Sequence, residues 1–153
     1  MFYDNQTLTK RKRNRNFRHV TFVFRGDTGS LMSIGLNEIA RYTVEHLKLR
    51  KHSEEVALRK AYNKYRNYHR QLQSRICRSG IVVVNGAFTA NGNIRQSRPC
   101  TRCCSTLTKS EIPIKNVIWF DGLTCKFTTS TVNSISTTYS SFDRNERSCI
   151  TDN

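Results

Sequence analysis

The chain contains the stretches His52-Ser53-Glu54 and Pro99-Cys100-Thr101-Arg102-Cys103, on which the prediction of its fold depends. One imidazole and two thiolates provide three protein ligands for a tetrahedral metal ion such as Zn²⁺ and leave the fourth position to water. A carboxylate two residues after the histidine does not overlie it on a helix, so it can face the open position without binding the metal. The pattern predicts a catalytic metal site.

The C-x-x-C pair alone is a weak indication of such a site, because it is also typical of half a zinc knuckle or of a redox pair. Here a proline precedes the first cysteine, an H-x-E lies upstream, and hydrophobic stretches flank both motifs. The competing interpretation is a solvated His52 with cysteines buried as small hydrophobic side chains. Cys104 is either a decoy ligand or a packed residue, and the C-x-x-C spacing of its neighbours favours packing.

The two motifs resemble those of the cytidine deaminase-like superfamily, whose zinc-dependent members deaminate bases in nucleosides, nucleotides and polynucleotides. The similarity covers about residues 17–132. The stretch His52-Ser53-Glu54-Glu55-Val56-Ala57-Leu58 is similar to the family's H-(small)-E-x-x-A-(aliphatic) helix start, with Ser53 where Ala, Val or Gly is usual. The stretch Cys103-Cys104-Ser105-Thr106-Leu107 is similar to the family's second helix.

The resemblance implies that His52, Cys100 and Cys103 hold Zn²⁺ and that Glu54 is the catalytic proton carrier. It also implies that Asn37, in a G-x-N element, hydrogen-bonds the sugar of the substrate, although the sequence alone also allows Asn37 to cap or turn the chain. Backbone N–H groups near Ser53 and Cys100 are expected to hold developing charge, which places Ser53 among the substrate-binding residues. Family members often form dimers or tetramers, so a homo-oligomer is expected on the resemblance alone.

The charge of the chain predicts an anionic partner. Its 153 residues carry a formal charge of +15, with a pI near 10.1, which is typical of proteins that bind nucleic acid or other anions. No run of eighteen apolar residues is present, so no membrane span is expected, and the N-terminus lacks the apolar core of a secretory signal. Six cysteines are too sparse for a disulfide scaffold and favour a reducing intracellular compartment, the cytoplasm or the nucleus.

Composition divides the chain into three segments. Residues 1–16 are predicted to form a disordered arm, whose run Lys10-Arg11-Lys12-Arg13-Asn14-Arg15 could contact nucleic acid, act as a nuclear address or simply be solvated. Residues 17–132 are expected to form the domain that resembles the deaminases. Residues 133–153, rich in serine and threonine, are predicted to be a loose tail.

The first half of the domain predicts a β-hairpin at residues 19–24 and 31–35, joined by a glycine-rich turn. Residues 39–49 predict either a short helix or a loop that closes the pocket, and His46 within them is not included in the site. One long helix is predicted from about His52 to Arg75. Its tyrosines are interpreted as packing against the sheet, with a stacking platform for bases as the alternative.

The second half predicts a strand at residues 81–84 that is buried on both faces, followed by a loop at residues 85–97. Pro99 is favoured at the start of a helix, whose dipole lowers the pKa of a thiol such as that of Cys100. A strand at 114–120 and another at 123–129 are joined by the turn Asp121-Gly122, so the two are antiparallel. The predicted fold is a three-layer α-β-α fold, with a mixed five-stranded sheet whose last strand is antiparallel.

The resemblance implies a zinc-dependent hydrolytic deaminase of cytosine in a nucleoside or nucleotide, and the antiparallel last strand resembles the branch that includes the free-nucleoside enzymes. One alternative is a polynucleotide base deaminase, in which the basic arm and the basic helix would hold the strand. The other is a non-catalytic, nucleic-acid-binding protein with a structural zinc, although structural zinc usually takes four protein ligands.

Overall fold

The computed structural model describes residues 18–39 and 50–135. The strands are, in chain order, β1 (Arg18–Arg25), β2 (Leu31–Leu36), β3 (Glu38–Ile39), β4 (Arg50–Lys51), β5 (Ile81–Phe88), β6 (Ile94–Arg95), β7 (Ile114–Asp121) and β8 (Lys126–Ser130). The helices are α1 (Ser53–Arg66), α2 (Arg70–Ser79) and α3 (Thr101–Thr108), and a short 3-10 helix follows at Val132–Ser134.

One mixed sheet organises the domain, with the strand order β2-β1-β5-β7-β8 and with β6 paired to the end of β5. Strand β1 is antiparallel to β2 and β5, β5 is parallel to β7, and β7 is antiparallel to β8. The parallel pair needs a crossover, which α3 and its flanking loops supply. The predicted α/β class and the antiparallel last strand are confirmed, and the arrangement is consistent with the three-layer α-β-α fold.

The core lies between one face of the sheet and the helices. Val23, Val83 and Val117 lie side by side across β1, β5 and β7 and are completely buried. Each helix adds apolar side chains to the same cluster, among them Ala61, Ile76 and Leu107. Each described helix therefore packs into this core, and α1 and α3 begin at the candidate metal ligands.

The opposite face of the sheet is apolar but only partly covered by the described residues. Phe22 lies between Ile34 and Val84 in the strand register, and Ile34 is 41% exposed. Val82 and Val84 are half-buried. The prediction that the strand at 81–84 is buried on both faces is therefore correct only for its helix-facing side chains.

The single helix predicted from about His52 to Arg75 is wrong, because the chain leaves the helix at residues 67–69 and begins α2. The N–H of Tyr68 donates to the carbonyl of Tyr65 at 3.0 Å, and the ring of His69 accepts from the N–H of Leu72 at 3.3 Å. Asn and His are weak helix formers, so a side-chain cap at His69 is enough to favour a break. The predicted tyrosine stripe does pack against the core.

Two boundaries in the second half also differ from the prediction. The predicted loop at 85–97 is partly strand, because β5 continues through Asn85 to Phe88 and the chain returns in β6. Asn and Gly are depleted in strands, which is why the sequence predicted a loop there. The turn before β8 spans residues 122–125 rather than two, since both carboxylate oxygens of Asp121 accept hydrogen bonds from Leu123 and Thr124 within it.

Several predicted features lie outside the described residues: the basic arm, His46 with the rest of 40–49, and all of the tail after residue 135. The start of the tail is packed, because Ile135 is buried in the core. Among the helices of residues 18–39 and 50–135, none is both long and apolar enough to cross a membrane.

Gly35 allows α1 to lie directly on β2. A Cβ atom at this position would collide with the carbonyl oxygen of Ser53 and come within 2.5 Å of the backbone nitrogen of Ala57. We therefore expect Gly35→Ala to displace the start of α1 and to lower the free energy of unfolding by about 1–3 kcal/mol. Urea denaturation measures this loss.

Gly29→Asn is the matched control for Gly35→Ala. Gly29 has a positive φ of 67° and no atom near its would-be Cβ, and asparagine tolerates this backbone conformation. The control is expected to lower the free energy of unfolding by no more than about 1 kcal/mol. A Gly35→Ala protein as stable as this control would show that the close approach of α1 and β2 is not required.

Candidate metal centre

Two helix starts meet beside the sheet, and the three predicted metal ligands lie there. His52 is the N-cap of α1, Cys100 is the N-cap of α3, and Cys103 lies in the first turn of α3. Arg102 donates two hydrogen bonds, of 2.8 and 3.0 Å, to the carboxylate of Glu55. This pair bridges the first turns of the two helices and holds the ligands near one another.

The ligand atoms of His52, Cys100 and Cys103 all lie within 4.8 Å of one another. The Nδ1 atom of His52 is 3.1 Å from the sulfur of Cys103 and 3.5 Å from the sulfur of Cys100. A tetrahedral metal with N and S ligands at about 2.0 and 2.3 Å requires N···S separations of about 3.5 Å. The arrangement fits a metal ion, and the three residues could bind one.

The thiols of Cys100 and Cys103 and the imidazole of His52 form hydrogen bonds with one another. The hydrogen bond with Cys103, and to a lesser extent the one with His52, lowers the pKa of the Cys100 thiol to about 3, although partial burial acts to raise it. The pKa of Cys103 is raised by its hydrogen bond to Cys100 and by burial. The hydrogen bond with Cys100 also raises the pKa of His52. Binding of a metal requires thiolates and a neutral imidazole, so it would release the protons that this cluster holds.

Glu54 lies beside the three ligands, inside the fold rather than at its surface. Its side chain is 7% exposed, and burial is the main cause that raises the pKa of its carboxyl. The carboxyl also forms a hydrogen bond with the thiol of Cys103 and interacts electrostatically with His52, and both interactions lower its pKa. A buried carboxyl with a raised pKa next to a metal site is suited to accept and return a proton.

Sequence reasoning missed a buried polar network behind Glu54, made by Thr21 and Asn85. The side-chain amide of Asn85 donates to Oε1 of Glu54 at 3.0 Å. The hydroxyl of Thr21 lies 2.9 Å from Oδ1 of Asn85 and 2.8 Å from the hydroxyl of Ser53. The hydroxyl of Ser53 in turn lies 3.2 Å from Oε2 of Glu54. The signal in the sequence is a polar Asn85 directly after four apolar strand residues.

Ser97 connects this network to the loop that carries Cys100. Its hydroxyl donates to the carbonyl of Asn85 and accepts from the N–H of Phe120, both at 2.8 Å. Its own N–H donates to the carbonyl of Phe120 at 3.0 Å. The loop before Pro99 is therefore fixed to β5 and β7, and this fixes the position from which α3 begins.

Asn37 and Ser53, the predicted substrate-binding residues, contact each other. Oδ1 of Asn37 accepts from the backbone N–H of Ser53 at 2.8 Å, so Asn37 connects the end of β2 to the first residue of α1. Asn37 is exposed at the surface, whereas Ser53 is 2% exposed and its hydroxyl belongs to the buried network. The backbone N–H of Ser53, which was expected to hold developing charge, therefore already donates to Asn37.

The other cysteines in the described part of the chain, Cys77, Cys104 and Cys125, do not join the group of ligand atoms. The predicted packing of Cys104 is confirmed: it is buried in the core, with its thiol 3.7 Å from the carbonyl of Pro99. Cys77 is an exposed free thiol, and Cys125 forms a disulfide.

Comparisons with protein-family models, with curated proteins and with solved structures find no match to this chain. Its function is therefore argued from the geometry of the site and from the motifs that form it.

Proposed function

We propose that this protein is a zinc-dependent hydrolytic deaminase, a member of the cytidine deaminase-like superfamily, that acts on cytosine in a nucleoside or nucleotide and releases ammonia. The observation that carries the proposal is the convergence of His52, Cys100 and Cys103 beside the buried carboxylate of Glu54. An imidazole with two thiolates is a ligand set that suits zinc. The same motifs, H-x-E and P-C-x-x-C, are the signature of zinc-dependent base deaminases.

The number of ligands favours a catalytic zinc over a structural one. Structural zinc sites usually have four protein ligands, whereas catalytic sites have three and an open position. Within the described parts of the chain, no fourth His, Cys, Asp or Glu joins the group. The nearest spare thiol, that of Cys104, is directed to the carbonyl of Pro99 instead.

In this proposal the chain's own contribution to the chemistry is proton transfer by Glu54. Zinc, when bound, supplies an activated water molecule at the open position. Glu54 would carry both protons of the attacking water in turn, one to the ring nitrogen of the base and one to the departing amino group. The overall reaction consumes one water and replaces the exocyclic amine with a carbonyl oxygen, so that ammonia leaves.

The network behind Glu54 has a proton for each of its four contacts only when the carboxyl is protonated. Thr21 and Ser53 have one hydroxyl proton each, and Oδ1 of Asn85 needs the proton of Thr21. With Glu54 ionised, Ser53 donates to its carboxylate, and the 2.8 Å contact between Ser53 and Thr21 then contains no proton. With Glu54 protonated, the carboxyl can donate to Ser53 and Ser53 to Thr21, so the change needs only rotation of hydroxyl groups. Such a site accepts a proton with little reorganisation of heavy atoms.

One experiment on the full-length chain tests the proposal. Zinc content is measured on the purified protein, and ammonia release is measured with cytidine, deoxycytidine, their monophosphates and a cytosine-containing single strand. We expect about one zinc per chain and release from at least one nucleoside or nucleotide. Absence of zinc, or one zinc without release from any of these compounds, would contradict the proposed activity.

A second candidate is a base deaminase that acts on polynucleotides, and the surface of α1 and α2 favours it. Between Arg59 and Arg78 the chain has no acidic residue. Seven basic side chains there are exposed: Arg59, Lys60, Lys64, Arg66, Arg70, Arg75 and Arg78. Binding through phosphates weakens steeply as salt rises, whereas recognition of a free nucleoside does not. The same assay, repeated with a salt series on the single strand and on cytidine, separates the two candidates.

A further inference from the structure

The carboxylate of Glu54 is held from the side of the sheet by two side chains that approach from neighbouring strands. Thr21 of β1 and Asn85 of β5 are directly paired in the strand register. Thr21 is completely buried and Asn85 is 3% exposed. Their hydrogen bonds, directly to Oε1 and through Ser53 to Oε2, reach both oxygens of Glu54.

Every member of this ring fixes the orientation of another. Thr21 can only donate to Oδ1 of Asn85, since that oxygen has no proton, and this directs the NH₂ group of Asn85 to Glu54. Ser53 lies between Thr21 and the second carboxylate oxygen. The carboxyl of Glu54 also forms a hydrogen bond with the thiol of Cys103.

We propose that Thr21 and Asn85 are positioning residues, which hold the carboxylate of Glu54 against the open side of the metal centre. The side-chain hydrogen bonds of both residues are made with each other, with Ser53 and with Glu54, so both would act through Glu54. The inference rests on the proposed function for its effect on turnover, but the position of the carboxylate can be tested independently. Displacement of a reacting group by about 1 Å can reduce a rate about 10²-fold.

The variants are Asn85→Leu and Thr21→Val, which keep the approximate shape of the side chain and remove its hydrogen bonds. Thr21→Ser restores the hydroxyl and is the rescue variant. Ser33→Ala is the matched control: Ser33 is buried on β2 and donates to the carbonyl of Ala57 of α1 at 2.7 Å. This control also removes one buried hydrogen bond between the sheet and α1, but leaves the ring intact.

We expect Asn85→Leu and Thr21→Val to retain zinc and a KM within about twofold of the wild type, and to lose about 10- to 100-fold in kcat. Thr21→Ser should recover most of kcat, and Ser33→Ala should keep it while its melting temperature falls. A drop in kcat of the same size in Ser33→Ala would overturn the proposal, because the loss would then follow from destabilisation. Failure of Thr21→Ser to recover kcat would overturn it as well.

Crystal structures of the zinc-loaded wild type and of the two variants provide a readout that does not depend on activity. The proposal requires the carboxylate of Glu54 to occupy a different position relative to His52 and Cys103 in Asn85→Leu or Thr21→Val. A carboxylate that stays in place in both variants overturns the positioning role, whatever the assays show. If the wild type releases no ammonia while the carboxylate moves in the variants, the proposed activity fails and the positioning role stands.

Discussion

Glu54→Gln is expected to bind about one zinc per chain, as the wild type should, and to lower kcat for ammonia release by about 10²- to 10⁴-fold. Glutamine has nearly the shape of glutamate but cannot take up and return a proton. Its side-chain oxygen can still accept from Asn85, and its NH₂ group can donate to the hydroxyl of Ser53. The buried network should therefore remain closed, so the loss of turnover would isolate proton transfer from folding.

Zinc content and steady-state kinetics on the same preparation measure this outcome. Glu111→Gln is the matched control, because Glu111 is an exposed carboxylate that interacts with Tyr62. It should leave kcat unchanged. Turnover at the wild-type rate in Glu54→Gln would contradict the role assigned to Glu54, and loss of zinc would show that Glu54 supports the metal site rather than the proton transfer.

The same variant has an expected effect on stability that depends on pH. Burial raises the pKa of Glu54 in the folded protein, so the folded state favours the protonated carboxyl. The wild type, without metal, therefore loses stability as pH rises through this raised pKa. Glu54→Gln does not ionise, so its metal-free form should match the wild type at low pH and become the more stable of the two as pH increases. Thermal unfolding in the presence of a chelator measures the difference.

Cys103→Ala is expected to lose almost all bound zinc, because it removes one of the three proposed protein ligands. Zinc that binds only the folded state stabilises it by about 4 kcal/mol at a concentration 1,000-fold above Kd. For a domain of this size that corresponds to an increase in melting temperature on the order of 10 °C. The wild type should show this increase on addition of zinc, and Cys103→Ala should not.

Cys104→Ala is the control for Cys103→Ala. The two cysteines are adjacent and both are buried, so each substitution removes one buried sulfur atom from the same helix. Of these two cysteines, only Cys103 has its sulfur beside the imidazole of His52. Cys104→Ala should keep both the zinc content and the thermal response to zinc. If Cys103→Ala still responds to zinc as the wild type does, the metal binds elsewhere.

The sequence predicted those parts of the fold that local patterns specify. The β-hairpin of β1 and β2, the strand β7 and the antiparallel β8 follow from alternating apolar residues and turn residues. The predicted boundaries of helices, strands and turns were less accurate, because these boundaries depend on the hydrogen bonds of individual side chains. The break at residues 67–69 depends on a cap by His69, and the length of the turn before β8 depends on Asp121.

The sequence by itself determined which residues could form a metal site, since the spacing within C-x-x-C and the separate H-x-E are local features with a chemical meaning. Only the tertiary structure decided that His52 lies 3.1 Å from the sulfur of Cys103, because the two residues are 51 positions apart and meet only when two helices pack on one sheet. The network of Thr21 and Asn85 was likewise decided by strand pairing. A register of β1 and β5 shifted by one residue would turn one of these side chains to the other face of the sheet.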